Sequence, residues 1–202
     1  MKLYYSPAAC SLAPHIAARE AGYTFDLEKV DIPTGKTEKG GDFAKVNPKG
    51  YVPALQLDDG QVLTEVAVIL QWLADQKPEA GLAPKAGTME RYRLLETLNF
   101  AATEVHKQIG ALFNPNLTPE MKEVQKAYIR RRLDQLERAL AGREWAMGDR
   151  FTVADAYLFT VLNWTNFQNI DLGRWPNLKA YVARVGARPK VQEALRAEGL
   201  AK

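Results

Sequence analysis

The sequence contains very few of the residues from which cross-links and metal centres are built. Cys10 is the single cysteine in 202 residues, and His15 and His106 are the only two histidines. One cysteine excludes a disulfide within this chain and a site made of several thiolates, and two histidines leave little material for a zinc centre. Because a lone thiol fits a reducing compartment, we expect a cytoplasmic protein without a bound metal.

Long apolar runs and a strong charge excess are also missing. No run of about 18 apolar residues is present, so no membrane span is expected. The start of the sequence does not resemble a signal peptide, because only the short apolar stretch 3–5 precedes Pro7. The net charge of +3 is too small to predict a nucleic-acid or membrane-surface partner. What is present is an ordinary globular composition, 47% apolar and 25% charged.

The character of the chain changes near residue 80. Before it, short apolar strands alternate with helical patterns, which together indicate a β-α-β unit followed by a hairpin and a helix. The predicted elements are strands over 2–5, 25–31, 52–57 and 61–63, helices over 11–20 and 65–75, and a loop over 36–42. A parallel crossover joined to a hairpin predicts a small mixed sheet with helices packed against it.

After residue 87 nearly every segment has helical periodicity. Apolar residues recur every three or four positions from Met89 to Leu112, which predicts one long amphipathic helix. Further helices are predicted over 119–140, 152–164, 177–186 and 190–197. The predicted organisation is therefore an α/β domain over 1–80, a linker over 81–87 and an all-α helical bundle over 88–202.

Cys10 is the residue best placed for chemistry. It follows a strand and a proline-containing loop and opens a helix, where free backbone amides stabilise an anion and lower the pKa of a thiol. The alternative is a small buried apolar residue. Ser11 beside it could cap the helix or donate a hydrogen bond to a bound thiolate. Position 13 is Ala13, so a dithiol cycle on this chain is excluded, while a cycle with an external thiol stays open.

Two other positions in the first half could serve the same site. Pro53 begins an apolar strand, and a cis Val52–Pro53 bond would turn the Val52 peptide towards Cys10, although trans is the commoner state. Glu65 opens a helix after the hairpin, where it either pairs with the helix dipole or holds the head of an amino-acid-like ligand.

Polar residues in the second half admit a functional and a structural interpretation. Asn99, Thr103 and His106 fall on one helix face beside Lys107, as they would on a helix that faces only water. His15, inside the first helix, is expected to be structural. Thr152–Asp155 has the spacing of a capping box, which indicates folding chemistry and no catalytic part.

In this order, the features resemble the glutathione S-transferases, and in detail the bacterial beta class. The matching motifs are Cys10-Ser11-Leu12, Asn47-Pro48-Lys49-Gly50, Val52-Pro53, Thr64-Glu65, Val105-His106-Lys107 and Phe151–Tyr157. The ordered set covers essentially the whole chain. The resemblance implies a thioredoxin-like N-terminal domain, an all-α C-terminal bundle, a homodimer, and glutathione as co-substrate with no further cofactor.

The resemblance also implies a set of site residues. Catalytic roles fall to Cys10, Ser11 and His106. The implied glutathione contacts are Cys10, Lys36, Val52, Pro53, Glu65, Val66, Asn99, Thr103, Glu104, Val105, His106 and Lys107, some of them across a dimer interface. Within this set Val52 pairs with the cysteinyl part, Pro53 is cis, and Glu65 with the Val66 backbone holds the γ-glutamyl end. Cys10 lies at the sulfur of glutathione and can form a mixed disulfide with it.

Two positions depart from the beta-class pattern. Val66 stands where a serine or glycine is usual, so a backbone contact can persist but a hydroxyl contact cannot. Gly35 stands where a lysine is frequent, and we expect the neighbouring Lys36 to take over the glycyl end.

Three functions are compatible with these residues. The leading hypothesis is conjugation of glutathione to small hydrophobic electrophiles. Their pocket would be lined by aromatic residues such as Tyr5, Phe113, Trp164 and Phe167. The second is a glutathione-dependent thiol-disulfide reductase or reductive dehalogenase that uses Cys10. The third is a non-catalytic binding protein for apolar ligands or haem, against which the retained Cys10, Val52-Pro53 and Glu65 argue.

Overall fold

The computed structural model describes residues 1–201 and divides into two compact units. The first unit contains residues 1–83 together with the segment from Arg188 onward, and the second contains Pro84–Ala187. The chain therefore leaves the first unit once and returns to it at the end of the second.

The first unit is built on a mixed sheet. In the described part of the chain its five strands are β1 (Lys2–Tyr5), β2 (Asp26–Asp31), β3 (Lys36–Thr37), β4 (Ala54–Gln56) and β5 (Val62–Thr64). Their order across the sheet is β3-β2-β1-β4-β5. The β1–β2 pair is parallel, with Leu3 opposite Leu27, and the other neighbours are antiparallel. The predicted mixed sheet is confirmed.

The segment 36–42 was predicted as a loop, and this is wrong at its start. Lys36 and Thr37 pair with Asp31 and Val30 as a two-residue edge strand. Thr37 is buried, whereas Lys36 is exposed. A strand this short shows no alternation of its own and exists because β2 offers it a pairing edge.

Two helices cover the sheet, and each follows one of its strands in the chain. The first, α1 (Leu12–Glu20), is the crossover between the parallel strands β1 and β2, and α2 (Val66–Gln76) follows β5. The largest fully buried side chains here belong to strands and helices alike, among them Leu3, Ile16, Leu55 and Ile69. Tyr4, Val30 and Phe43 belong to a second buried cluster, as expected when successive strand residues alternate between faces.

The second unit is helical. Its helices are α3 (Met89–Phe100), α4 (Lys107–Ala111), α5 (Pro119–Leu140), α6 (Val153–Phe167) and α7 (Pro176–Gly186). The long helix predicted over 89–112 is interrupted by a π-helical turn, Ala101–His106, between α3 and α4. Within residues 1–201, no helix has the length and apolar character that a membrane span needs.

The last helix differs from the predicted grouping of 88–202. Helix α8 (Pro189–Ala197) packs against α1 in the first unit. Arg188 anchors its start through two hydrogen bonds from its guanidinium to the Glu20 carboxylate, at 2.7 and 2.8 Å. Val191 and Ala194 are its buried apolar residues. An amphipathic stripe shows that a helix packs on something, but not on which unit.

Asp155 ties the start of α6 to the rest of the second unit. The predicted capping box is present, and the Asp155 carboxylate accepts hydrogen bonds from the backbone nitrogens of Thr152 and Ala146 at 2.8 and 2.7 Å. It also accepts from the Tyr181 hydroxyl at 2.9 Å. Burial raises the pKa of Asp155, and these hydrogen bonds oppose that rise by stabilising the carboxylate.

Replacing Asp155 with alanine is expected to destabilise the protein by about 3 kcal/mol or more, because several buried donors lose their acceptor at once. Urea denaturation measures the change. The exposed neighbour Asp149 provides a control, since Asp149→Ala should stay within about 0.5 kcal/mol of the parent. Equal effects of the two variants would contradict the anchoring role.

Candidate active site

One end of the sheet gathers the first-unit residues predicted to bind glutathione. Strand β1 ends there, and β2, parallel to it, ends there too. Because β3 and β4 are antiparallel to these strands, they begin at that end, and β5 returns to it. Topology therefore brings Lys36, the Val52–Pro53 peptide, Glu65 and the loop that carries Cys10 to the same end of the sheet.

Cys10 is next to the Val52 peptide. Its Sγ donates a hydrogen bond to the Val52 carbonyl oxygen at 3.3 Å, and the thiol is half-buried. The Val52–Pro53 bond is cis. Asn47, which is buried, donates to the Tyr51 carbonyl at 2.7 Å and so holds the segment that leads into this peptide. The thiol and the peptide thus form one local unit.

Ser11 holds the loop before Cys10 rather than capping α1. In the described residues its hydroxyl donates to the Ser6 carbonyl at 3.2 Å and accepts from the Ser6 nitrogen at 3.1 Å. The capping prediction is therefore wrong, because the oxygen that would have capped the helix is used on Ser6. Since Ser11 is fully buried and its donor is taken, its effect on Cys10 is through the shape of the loop.

Glu65 is held in an unusual backbone conformation at the start of α2. Its φ is +68°, a region that costs a non-glycine residue about 1–3 kcal/mol. Its exposed carboxylate accepts from Lys49 Nζ at 3.0 Å. The Val66 side chain behind it is buried, so only the Val66 backbone can face a ligand. Backbone strain of this kind is concentrated at functional sites.

The departure at position 35 has a backbone reason. Gly35 has φ +67°, a conformation that a lysine would adopt only with strain. Its neighbour Lys36 opens β3 at the edge of the sheet and is exposed. Lys36 is thus an exposed basic residue at this end of the sheet.

A buried network that the sequence analysis missed supports the Cys10 loop. The two carboxylate oxygens of Glu198 accept from His15 Nδ1 at 2.8 Å and from the Ala8 nitrogen at 3.2 Å. Ala8 has φ +61°, so this hydrogen bond holds a strained turn two residues before Cys10. Arg19 Nε donates to His15 Nε2 at 2.8 Å, and because arginine only donates, the His15 proton lies on Nδ1. The structural role predicted for His15 is confirmed.

Tyr5 ends β1 at the same end of the sheet. It is buried, and burial together with the negative charge of Glu198 raises the pKa of its hydroxyl above the usual value. The hydroxyl therefore stays protonated at neutral pH and can act as a hydrogen-bond donor.

In the second unit, the predicted residues divide into exposed, paired and buried ones. Asn99, Thr103 and Lys107 are exposed, and the Thr103 hydroxyl donates to the Asn99 carbonyl at 3.0 Å. Glu104 forms an ion pair with Arg132 at 2.6 Å. The predicted glutathione contact of Val105 is wrong for its side chain, which is buried in the core of this unit and is not available to a ligand.

His106 belongs to an aromatic cluster of the second unit. Its Nδ1 lies 2.8 Å from the Tyr157 hydroxyl, and its ring meets Trp164 edge to face at 4.9 Å. Phe113 continues the cluster against Trp164 at 5.6 Å and reaches Phe167 at 6.5 Å. Phe113 and Phe167 are both about half exposed, so the cluster presents an apolar surface.

The described residues contain no candidate metal site. Across 1–201, no group of three or more His, Cys, Asp and Glu side chains is arranged to hold a metal ion.

Comparison with known proteins identifies the family. The model of the glutathione S-transferase N-terminal domain matches residues 8–76, and that of the C-terminal domain matches residues 100–189. The glutathione S-transferase GstA of Escherichia coli O157:H7 is 46% identical, over 99% of this chain and 100% of the relative. The chain belongs to the glutathione S-transferase family.

Solved structures agree with this assignment and with the beta class. A bacterial beta-class glutathione S-transferase of Sphingomonas chungbukensis is 50% identical, covers 100% of both chains and superposes with a TM-score of 0.96. A sphingomonad glutathione S-transferase in complex with glutathione is 49% identical, with 100% coverage of both chains and a TM-score of 0.96. The predicted beta-class glutathione S-transferase, its fold and its assignment as an enzyme are confirmed.

Replacing Glu198 with alanine should destabilise this transferase by about 3 kcal/mol, because the buried Nδ1–H of His15 and the N–H of Ala8 both lose their acceptor. Glu198→Gln should fall in between, since an amide retains only one accepting oxygen. Chemical denaturation of both variants tests this. Lys190→Ala, which removes a surface ion pair with Glu193 on the same helix, is the control and should cost under about 1 kcal/mol. A Glu198→Ala protein as stable as the control would refute the network.

Proposed function

We propose that this glutathione S-transferase conjugates reduced glutathione to small hydrophobic electrophiles and that Cys10 can form a mixed disulfide with glutathione. The observation that carries the proposal is the hydrogen bond between the Cys10 thiol and the Val52 carbonyl. It places a thiol beside a backbone segment able to pair with a peptide, at the sheet end where Glu65 also lies.

The spacing of the strands supports an extended orientation for glutathione. Neighbouring strands are about 4.8 Å apart, so Glu65 after β5 and Lys36 in β3 each lie roughly 10 Å from β1, on opposite sides. An extended tripeptide spans about 10 Å, and the two long side chains cover the remainder. We assign the γ-glutamyl ammonium to Glu65, the cysteinyl part to Val52, and the glycyl carboxylate to Lys36. The relative solved with glutathione supports the ligand class.

The chemistry requires a glutathione thiolate. A free thiol has a pKa of about 8.5 and is mostly protonated at neutral pH, and each unit by which a site lowers that pKa is worth about 1.4 kcal/mol. The amides at the start of α1 stabilise the thiolate, with His106 and Lys107 assisting. The thiol proton leaves to solvent when the thiolate forms. The thiolate then attacks an electrophilic carbon and forms a carbon–sulfur bond, and the leaving group on that carbon, chloride in a chloronitrobenzene, departs to solvent with the electron pair of its bond.

The electrophile is assigned to the aromatic cluster. Phe113, Trp164 and Phe167 offer ring faces and edges in mutual contact, which suit flat apolar molecules. We also propose a homodimer in which further residues contact glutathione, some of them the glutathione bound to the partner subunit. These residues are Asn99, Thr103, Glu104 and the backbone at Val105.

A redox role is the second candidate, favoured by the half-buried position of the single thiol. Attack of the Cys10 thiolate on glutathione disulfide forms a Cys10–glutathione disulfide and releases one glutathione thiolate. With no second cysteine in the chain, an external thiol must resolve that product. A lone reactive thiol also supports our proposal of a reducing, cytoplasmic location.

Cys10→Ala separates the two roles. Incubation of the parent with glutathione disulfide should add one glutathione that reductant removes, and Cys10→Ala should show no adduct by intact mass. Conjugation of a chloronitrobenzene should persist in the variant, because the reacting sulfur belongs to glutathione. Loss of conjugation with retained glutathione affinity would instead make Cys10 essential, and failure of the parent to bind glutathione would overturn the proposed function.

Glu65→Gln tests the γ-glutamyl end. The variant keeps the shape of Glu65 but removes its charge, so KM for glutathione should rise at least tenfold, which corresponds to the loss of a charge-assisted hydrogen bond. Steady-state kinetics at varied glutathione measure this. Glu79→Gln changes an exposed carboxylate elsewhere in the first unit and should leave KM unaltered. Equal KM values for both variants would remove Glu65 from the site.

A further inference from the structure

We propose that Tyr157 is a positioning residue for His106: its hydroxyl bonds Nδ1 of the imidazole and so holds the ring in the form that carries its proton on Nε2. The inference rests on the proposed function, in which His106 assists at the glutathione sulfur. Tyr157 lies two residues after the Thr152–Asp155 capping box of α6 and is not one of its residues.

The backbone delivers His106 to this contact through the π-helical turn. Ala101–His106 adopts the wide turn, and His106 is its last residue before α4 resumes regular geometry. The turn packs against α6, which carries both Tyr157 and Trp164. Single π-turns inside α-helices are rare and concentrate at functional sites. The irregular turn therefore ends at His106, the residue whose side chain contacts Tyr157.

Packing leaves the imidazole little freedom. Tyr157 meets it edge to face at 5.8 Å between ring centroids, and Trp164 does so at 4.9 Å. Ring contacts alone restrict the plane of the imidazole, but they do not decide which nitrogen bears the hydrogen.

The hydrogen bond between Tyr157 and His106 decides which imidazole nitrogen carries the hydrogen. The Tyr157 hydroxyl is 2.8 Å from Nδ1, and Tyr157 is only 2% exposed. A phenol is a better hydrogen-bond donor than acceptor, whereas an unprotonated imidazole nitrogen is a strong acceptor, so we assign the Tyr157 hydroxyl as the donor to Nδ1. A neutral imidazole that accepts at Nδ1 must carry its hydrogen on Nε2, which points away from Tyr157. Nε2–H is then a fixed donor, the group that a thiolate requires.

His15 provides an internal reference of the opposite kind. Its Nε2 accepts from Arg19, so His15 carries its hydrogen on Nδ1. As the chain has two histidines, the two tautomers are separable in one nitrogen-15 spectrum of imidazole-labelled protein. The spectrum is recorded at a pH of about 8, above the usual imidazole pKa of about 6.5.

The test is Tyr157→Phe, which removes the hydroxyl and keeps the ring. In the parent, His106 should show the Nε2–H form and His15 the Nδ1–H form. In the variant, His106 should become a mixture of tautomers while His15 is unchanged. The kcat for conjugation should fall roughly tenfold with little change in KM for glutathione, because orientation is lost and not binding. Tyr181→Phe, which deletes another buried phenol of the same unit, should leave kcat and the His106 tautomer unaltered.

A double-mutant cycle completes the experiment. If Tyr157 acts through His106, Tyr157→Phe should change kcat no further in a His106→Ala background. A parent His106 in the Nδ1–H form, or a tautomer that Tyr157→Phe does not move, would overturn the positioning role. A changed tautomer with unchanged kcat would overturn the role of His106 in catalysis while leaving glutathione binding and the Cys10 adduct intact, so the two failures are distinguishable.

Discussion

The direction of the strands controls where the reactive groups of the first unit lie. A parallel β1–β2 pair requires a crossover, so the chain turns into α1 immediately after β1, and Cys10 sits at that turn. The antiparallel strands then begin or end at the same edge, which brings Val52 and Glu65 there. If one of these strands ran in the opposite direction, its candidate site residue would lie at the far end of the sheet. The site thus follows from topology before any side chain makes a contact.

Local patterns predict most of the fold, and they fail where an element depends on its neighbours. The helix α5 was predicted over the residues it occupies, because Thr118 caps it and Pro119 suits its first turn. Strand β3 was missed because two residues carry no periodicity. The π-turn was missed for another reason: Ala101, Val105 and Ile109 are buried at ordinary helical spacing, so the apolar pattern runs through the irregularity unchanged.

The site shows the same division between local and distant signals. Cys10, Val52 and Glu65 could be predicted to lie near one another because each stands at a turn, a proline or a helix start that marks it in the sequence. Glu198 has no such mark, and its partner His15 is 183 positions away along the chain. Tyr157 lies in an apolar helix where an aromatic residue is ordinary, and only the position of His106 gives its hydroxyl a function.

The hydrogen bond between Glu198 and Ala8 spans 190 positions and closes the turn before the reactive thiol. The first unit is therefore discontinuous, and the whole helical unit is synthesised between its two parts. During synthesis the N-terminal sheet can emerge and collapse, but the Cys10 loop cannot reach its final form until α8 has left the ribosome. Until α8 has emerged, the turn before the reactive thiol lacks the Glu198 acceptor, and the loop is held only by its contacts within the N-terminal segment.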